Sequence, residues 1–546
     1  MLSLWYIPVA VLLAAAGFIL LVNRGKPNIG LSWFAAILAA LFVWGWTISL
    51  FWRTGSLASS VSAEIPGVFS IGSSAGNIAD ISGIGFVLDK ISYPYMLSVS
   101  ALLVVLLLTA PSYMEPQSAP RLWIFYLLIE TVGYLSVSAD KLSFVIYGWT
   151  IFDGIDLITQ YIQTRPGRIR GSYLRALGVR FLGTVLASAS FAYSMSDPAS
   201  SEGLFISARA GVFLMLACAL RMGIFPISQP YSEMDSSRVG LGTMLRLVSA
   251  LTVIPVMSRI PLIEISPDLG IFLSMAGGFA SLVGAVGWLL SENSFSGNSY
   301  AALAIGAMAF VSALSGNRDA LTAWGISIVL TCAPLSLYQI HNVFMNILAA
   351  LVVVCFSGIP YTPNAVGWLG LVSAPYSVKD LLFIIVMALL TAGAFIHIFR
   401  SEGRKFTDLE PWMRSVYPFG FLAAIGTHFF ISFFCFDRQF SSGVVPASAG
   451  AFAAGVMLAA YMRWLPERFR TQNVIAWTRE ALSLFWQLME RLLNMNWLFR
   501  LGGFLMHAAD RILMHISGIL ENNGGLVWEF LLLAFLLAAA FSGGLL

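Results

Sequence analysis

From Leu4–Val22 to Phe530–Phe541 the chain keeps returning to runs of apolar residues about as long as a helix needs to cross a bilayer. In hydrocarbon every peptide group must be satisfied within its own segment or inside a closed barrel. These runs lack the strict alternation of barrel strands, so the expected class is an all-α polytopic membrane protein. Composition agrees: 58% of the 546 residues are hydrophobic and 10% are charged, against about 25% charged in soluble chains. The first run is longer than a signal-peptide core and no clear cleavage site follows it, so it is expected to stay as the first helix. Cys218, Cys332, Cys355 and Cys435 all fall in apolar runs without paired spacing and read as small core residues, not metal ligands. A net charge of +3 is too small and dispersed for a nucleic-acid partner.

About sixteen spans are expected, near 3–23, 30–51, 92–110, 121–139, 141–162, 173–195, 204–222, 239–257, 268–291, 300–315, 321–340, 341–357, 377–399, 413–435, 442–463 and 526–544. The basic loops at Arg24/Lys26, Arg165–Arg175, Arg400/Arg404/Lys405 and Arg463/Arg468/Arg470 each follow an odd-numbered span. They therefore share one side, which the positive-inside tendency makes the cytoplasm. The amino terminus and the Ser/Gly-rich loop 54–85 then lie outside, as expected of a bacterial-type inner-membrane protein. Residues 465–522 place Leu, Trp and Phe among Arg468, Arg479, Glu490, Arg491, Arg500, Asp510 and Arg511 at helix-compatible intervals. As one helix they would run about 75 Å, too long to cross, so an amphipathic lateral helix on the cytoplasmic side is expected, or else two or three surface helices.

Short motifs then point to a family. ADKLSFVIYGW from Ala139 resembles the start of the fifth helix in the largest antiporter-like subunit of respiratory complex I, and FVLDKIS (Phe86–Ser92) is similar to the FxLDxLS entry to its third helix. Arg180-Phe-Leu-Gly resembles its RxGD turn, Phe225-Pro226 its broken seventh helix, and SGIP (Ser357–Pro360) its GIPP turn. Tyr376-Ser-Val-Lys379-Asp380-Leu-Leu resembles FSKDEIL, and ENNGGLVW (Glu521–Trp528) the segment that follows the lateral helix. The resemblance implies two inverted five-helix repeats with breaks at Pro226 and Pro360. It divides the chain into N-terminal helices with an external loop (1–110), two antiporter-like halves (111–257 and 258–400), further spans (401–464), the lateral helix (465–525) and a last span (526–546). Pro226 equally fits an ordinary helix end.

In the family, buried lysines carry protons and a glutamate on helix five tunes the lysine on helix seven. Here Thr150 stands where that glutamate is expected, Arg221 where the lysine is, and Arg246 aligns with a histidine position on helix eight. No lysine occurs between Lys141 and Lys379. Arginine keeps its proton at any accessible pH, so the first half-channel is expected to be degenerate. Buried arginines need partners, and Glu130, Asp153 and Asp156 are the candidates, either relaying protons with Arg180 and Arg221 or only neutralising them. Lys379-Asp380 matches the family's titratable pair, or Lys379 snorkels at a surface. His341, His397 and His428 could carry protons or be satisfied structural residues.

No nucleotide loop, metal-ligand motif or nucleophile elbow is evident, so no catalytic chemistry and no cofactor of its own are expected. The leading expectation is a proton- or cation-translocating subunit of a complex I-like assembly, partnered by other membrane subunits. One alternative is the membrane subunit of a Dab-type inorganic-carbon accumulation complex, to which Arg165-Pro166 and the basic segment after it also bear resemblance. The driving partner would then be a zinc-containing soluble subunit; in the first case it would be a redox one. A third reading is a transport-inactive scaffold.

Overall fold

Helices that are apolar on every side lie at the centre of the bundle, as the burial of a uniformly hydrophobic helix requires. In the computed structural model these are α3 (Ser92–Thr109), α8 (Val239–Ser258) and α11 (Arg318–Leu337), whose side chains are almost all buried. Around them stand α1 (Ser3–Val22), α2 (Ile29–Arg53), α4 (Ala119–Val137), α5 (Leu142–Gln163), α6 (Gly171–Ser196), α7 (Ala208–Arg221), α9 (Pro267–Leu290), α10 (Ser294–Leu314), α12 (Val343–Ser357), α13 (Val378–Arg400), α14 (Pro411–Cys435) and α15 (Val444–Trp464). The structure describes residues 3–24, 28–53, 61–65, 84–113, 119–163, 171–196, 208–227, 239–260, 265–291, 294–373, 375–400, 404–436 and 444–464, with isolated positions beyond 483.

The chain is an all-α polytopic membrane protein: among the described residues eleven helices are long and apolar enough to cross a bilayer, and residues 6–22 and 343–357 form shorter apolar ones. It divides into two units, Met1–Met489 and Glu490–Leu546. The expected lateral segment and the span at 526–544 lie outside the described residues apart from isolated positions.

Packing between helices is close where glycine replaces a side chain. A methyl group on Gly284 of α9 would come within 2.7 Å of the α10 backbone at Tyr300 and Ala304, so the two helices touch main chain to main chain there.

Two of the family-like motifs meet at one end of the bundle. Asp89 and Ser92 exchange backbone-to-side-chain hydrogen bonds (Ser92 N to Asp89 Oδ1 2.7 Å, Asp89 N to Ser92 Oγ 3.1 Å), which caps α3. Val87 N donates to Ser138 O at 2.8 Å. Arg259, at the end of α8, binds Asp89 at 3.2 Å and stands 3.9 Å from Asp140. FVLDKIS and ADKLS are therefore an architectural joint linking α3, the α4–α5 turn and α8. Within the loop expected outside, β1 (Val61–Ile65) pairs antiparallel with β2 (Ile84–Leu88). Two residues of β3 (Ile340–His341) pair in parallel with β4 (Arg404–Lys405).

Candidate functional site

The inward face of α5 is set by helical spacing. Trp149, Phe152, Asp153, Asp156 and Thr159 recur at intervals of three and four and all are buried. Thr150 is rotated away from them, exposed, with its hydroxyl returned to Ile146 O at 2.9 Å. Thr150, where the resemblance leads one to expect a glutamate, thus faces outward, and the acidic groups stand three and six residues further on. Gly148 lets this happen: a methyl there would sit 2.0 Å from Ser136 Oγ, so α5 lies directly on the end of α4.

Two carboxylates on α5 meet two guanidinium groups from α6 and α7. Arg221 donates to Asp153 through both terminal nitrogens, Nη1 to Oδ2 at 2.9 Å and Nη2 to Oδ1 at 3.3 Å. Its Nη1 also donates to Thr184 Oγ1 at 2.6 Å and to Arg180 O at 3.2 Å. Arg180 donates to Asp156 Oδ2 at 2.5 Å through Nη2, while its Nε stands 3.6 Å from Asp153 Oδ1. Asp153 is therefore shared between both cations. All four side chains are buried. The bidentate fork and the added hydroxyl and carbonyl acceptors are the arrangement that makes a desolvated guanidinium tolerable.

Arg221 is 3% exposed and stands two residues before Gly223, whose φ of 72° ends α7. Ile224 N donates to Ala219 O and Gly223 N to Leu220 O, the two bonds of a Schellman cap. Pro226 follows in a cis peptide bond with Phe225, inside the turn. Residues 228–238, which follow the expected break at Pro226, lie outside the described residues.

Sequence reasoning missed three residues of this site. Thr184 supplies an acceptor, Trp149 lies 4.7 Å beneath the Arg221 guanidinium, and Gly183 makes room for the Arg221 stem. Gly183 carried a signal, since it closes the RFLG motif, but its reason is steric: a methyl there would fall 2.8 Å from Arg221 Cγ and 3.1 Å from Ala217 O. Gly183→Val is accordingly expected to pry α6 from α7 and lower stability by about 1–3 kcal/mol. Thermal unfolding in detergent measures this, and a variant that melts with the parent would show the α6–α7 contact to be looser than drawn.

Other expected site residues fall elsewhere. Arg246 on α8 is buried over the Phe295 ring of α10 at 5.2 Å, so it stands where α8 meets α10. Glu130 on α4 is buried and is no part of these ion pairs. Lys379 is exposed at the start of α13. Asp380 accepts from Ser377 N at 2.7 Å while Ser377 Oγ accepts from Asp380 N at 3.3 Å, a capping box. Pro360 lies between the end of α12 and a 3-10 turn at Ala365–Gly370. His397 donates through Nε2 to Trp288 O at 2.9 Å and lies against the Trp288 ring. His428 stands 3.5 Å from Ser327 Oγ, and His341, between α11 and α12, is 3.0 Å from Tyr338 Oη. Desolvation lowers the pKa of His341 from its ordinary value.

No protein-family model matches the sequence, and no curated protein matches it. The fold does have counterparts. A chain of the Mrp complex from Dietzia sp. DQ12-45-1b is similar with a TM-score of 0.61 at 13% identity, over 93% of this chain and 63% of that one. A chain of the membrane-bound sulfane sulfur reductase, an archaeal respiratory membrane complex, gives 0.55 at 11% identity over 98% and 99%. A chain of respiratory complex I from Thermus thermophilus with bound NADH gives 0.49 at 17% identity over 89% and 100%. The chain thus spans 63% of the length of the Mrp chain it matches.

Proposed function

We propose, from the fold it shares with antiporter-like chains of membrane complexes, that this protein is a cation-translocating membrane subunit whose α5–α7 charges act as a fixed electrostatic element and not as proton carriers. The observation that carries this reading is the bidentate grip of Arg221 on Asp153 in the bundle interior. A guanidinium does not release its proton, so the carrier function of a lysine at that position is gone while its positive charge stays. Asp153 lies 2.9 Å from one cation and 3.6 Å from the other, and a small shift exchanges its main partner. Such a pair answers a charge that arrives nearby by repartnering.

Under this reading the first half-channel is degenerate with respect to the lysine scheme. The chain works beside other membrane subunits, and a soluble redox subunit supplies the driving reaction. Its basic loops face the cytoplasm, the amino terminus faces outward, and the segment 465–522 braces neighbours on the cytoplasmic side. The scaffold reading is favoured by one fact, that both α5 carboxylates are already engaged.

Ion movement in vesicles holding the chain with its native partners separates the two. Asp153→Asn is expected to slow it by about tenfold or more, since the repartnering charge is lost. Lys379→Ala, at an exposed helix start, is expected to leave it unchanged. A parent rate in Asp153→Asn would remove the electrostatic role given to the pair, parent vesicles that move no ions would sink the translocation reading in favour of the scaffold, and uptake of labelled bicarbonate in place of cations would move it to the inorganic-carbon one.

A further inference from the structure

A column of polar side chains on α4 stands apart from the ion pairs. Tyr126, Glu130, Tyr134 and Ser138, the last just past the helix end, follow at intervals of four, and none is more than 1% exposed. That spacing keeps them on one face, about 6 Å apart along the axis. At one end the hydroxyls of Tyr126 and Tyr113 converge over Gly240: a methyl there would lie 2.2 Å from the first and 2.5 Å from the second. At the other, Tyr134 Oη is 3.3 Å from Thr47 Oγ1 on α2, and Thr47 gives its own proton to Val43 O at 2.8 Å. Tyr134 must therefore donate to Thr47, which leaves its oxygen able to accept a further hydrogen bond.

Glu130 lies between. It is 0% exposed, and neither carboxyl oxygen has a hydrogen-bond partner among the described residues. Tyr134 follows it one helical turn later on the same face of α4. An acid buried without a cation or a donor is costly, and the chain carries it where an apolar residue would pack at no such cost. The contrast with α5 is plain: Asp153 and Asp156 each have an arginine, and arginine cannot cycle its proton.

We infer that Glu130 is the proton-binding carboxyl of the α4–α8 half, loaded and unloaded along the α4 column through Tyr113 and Tyr126 at one end and Tyr134 and Thr47 at the other. This rests on the translocation reading and names its carrier. The step is proton transfer alone. A carboxylate oxygen of Glu130 takes a proton from water at one end of the column, and the same O–H bond breaks to release it to water at the other. Steps of the axial spacing on α4 pass through bridging water.

The test compares the parent with Glu130→Gln, Glu130→Asp and Tyr134→Phe in native-partner vesicles, with assembly checked by the yield of the purified complex. Proton movement is expected to fall by about tenfold or more in Glu130→Gln at unchanged assembly, with part of the rate kept in Glu130→Asp and a smaller loss in Tyr134→Phe. In parallel, infrared difference spectra of the parent between resting and driven states are expected to show a protonated-carboxyl band that shifts in heavy water and vanishes in Glu130→Gln. A Glu130→Gln variant that moves protons at the parent rate, or that keeps the band, overturns the assignment and leaves the translocation reading standing. Parent vesicles that move no ions overturn that reading instead, and the band in the purified chain then decides by itself whether Glu130 binds a proton.

Discussion

Asp153→Ala is expected to cost the bundle about 3–5 kcal/mol, because it strands a buried guanidinium instead of merely deleting a contact. Arg221 would lose both of its charge-assisted bonds at 2.9 and 3.3 Å and keep only Thr184, the Arg180 carbonyl and the face of Trp149. Arg180 would lose its second anion at the same time, although Asp156 remains. Removing both members of the pair reverses the logic. A double variant with Asp153→Leu and Arg221→Met leaves no orphan charge, and apolar replacements of similar volume for a buried pair are neutral or stabilising by about 1–4 kcal/mol. The double variant should therefore melt close to the parent or above it, while either single truncation melts far below. Thermal unfolding of detergent-solubilised protein measures all of these. Equal, small losses across the series would mean that water already reaches the cluster and screens it, which would remove the argument that these charges are held dry.

The same cluster shows how far the sequence could be read. Asp153 and Asp156 were legible as one helical face because their spacing is that of a helix, and buried arginines on neighbouring spans call for anions. Which arginine takes which aspartate was not legible, since it depends on Gly183 letting the Arg221 stem cross α6 and on Thr184 holding the far side of the fork. Glu130 stood out as an acid in an apolar run. That neither oxygen finds a partner among the described residues is a property of what α1, α2, α3, α5 and α8 bring to α4, and no local pattern encodes it. Ser377-Val-Lys379-Asp380, which the resemblance marks as a titratable pair, is also a capping-box sequence, and Ser377 and Asp380 bond as one.

Helix positions were legible for a simpler reason. Each of α1 to α15 coincides with an apolar run, and the differences arise where polar residues continue a helix or leave it. α10 begins at Ser294 and not near 300, because Gly297, Asn298 and Ser299 are buried against neighbouring helices despite their polarity. The runs expected as adjacent spans meeting at 340 and 341 are parted by a short extended stretch, held by the pairing of Ile340–His341 with Arg404–Lys405. Pairing partners so distant in sequence leave no periodic trace in either segment.

Gly358→Ala is expected to be strongly damaging, because two independent penalties coincide there. Gly358 closes α12 with φ 70° and ψ 22°, a left-handed conformation that costs an L-residue about 1–2 kcal/mol. The added methyl would also lie 2.3 Å from Trp368 Nε1, and forcing a packed side chain aside costs about 1–3 kcal/mol more. The displaced indole matters because it closes the helix end: Trp368 Nε1 donates to Ser357 O at 3.2 Å, beside Asn364 Nδ2 donating to Phe356 O at 3.0 Å. Carbonyls freed by the end of α12 are bonded here to side chains and not left bare, which is the condition for irregular backbone inside a membrane. A second indole secures the next turn, with Trp324 Nε1 donating to Gly367 O at 2.7 Å. Trp368→Phe, which removes only the donor, should cost less, about 1–3 kcal/mol for one carbonyl left without a partner. Gly17→Ala, where a methyl would meet nothing within 4 Å, should cost nothing measurable. The expected order of melting temperatures in detergent is therefore Gly17→Ala with the parent, then Trp368→Phe, then Gly358→Ala. A Gly358→Ala protein that melts with the parent would mean that the turn after α12 does not hold its left-handed residue, and the side-chain closure of that helix end would have to be abandoned with it.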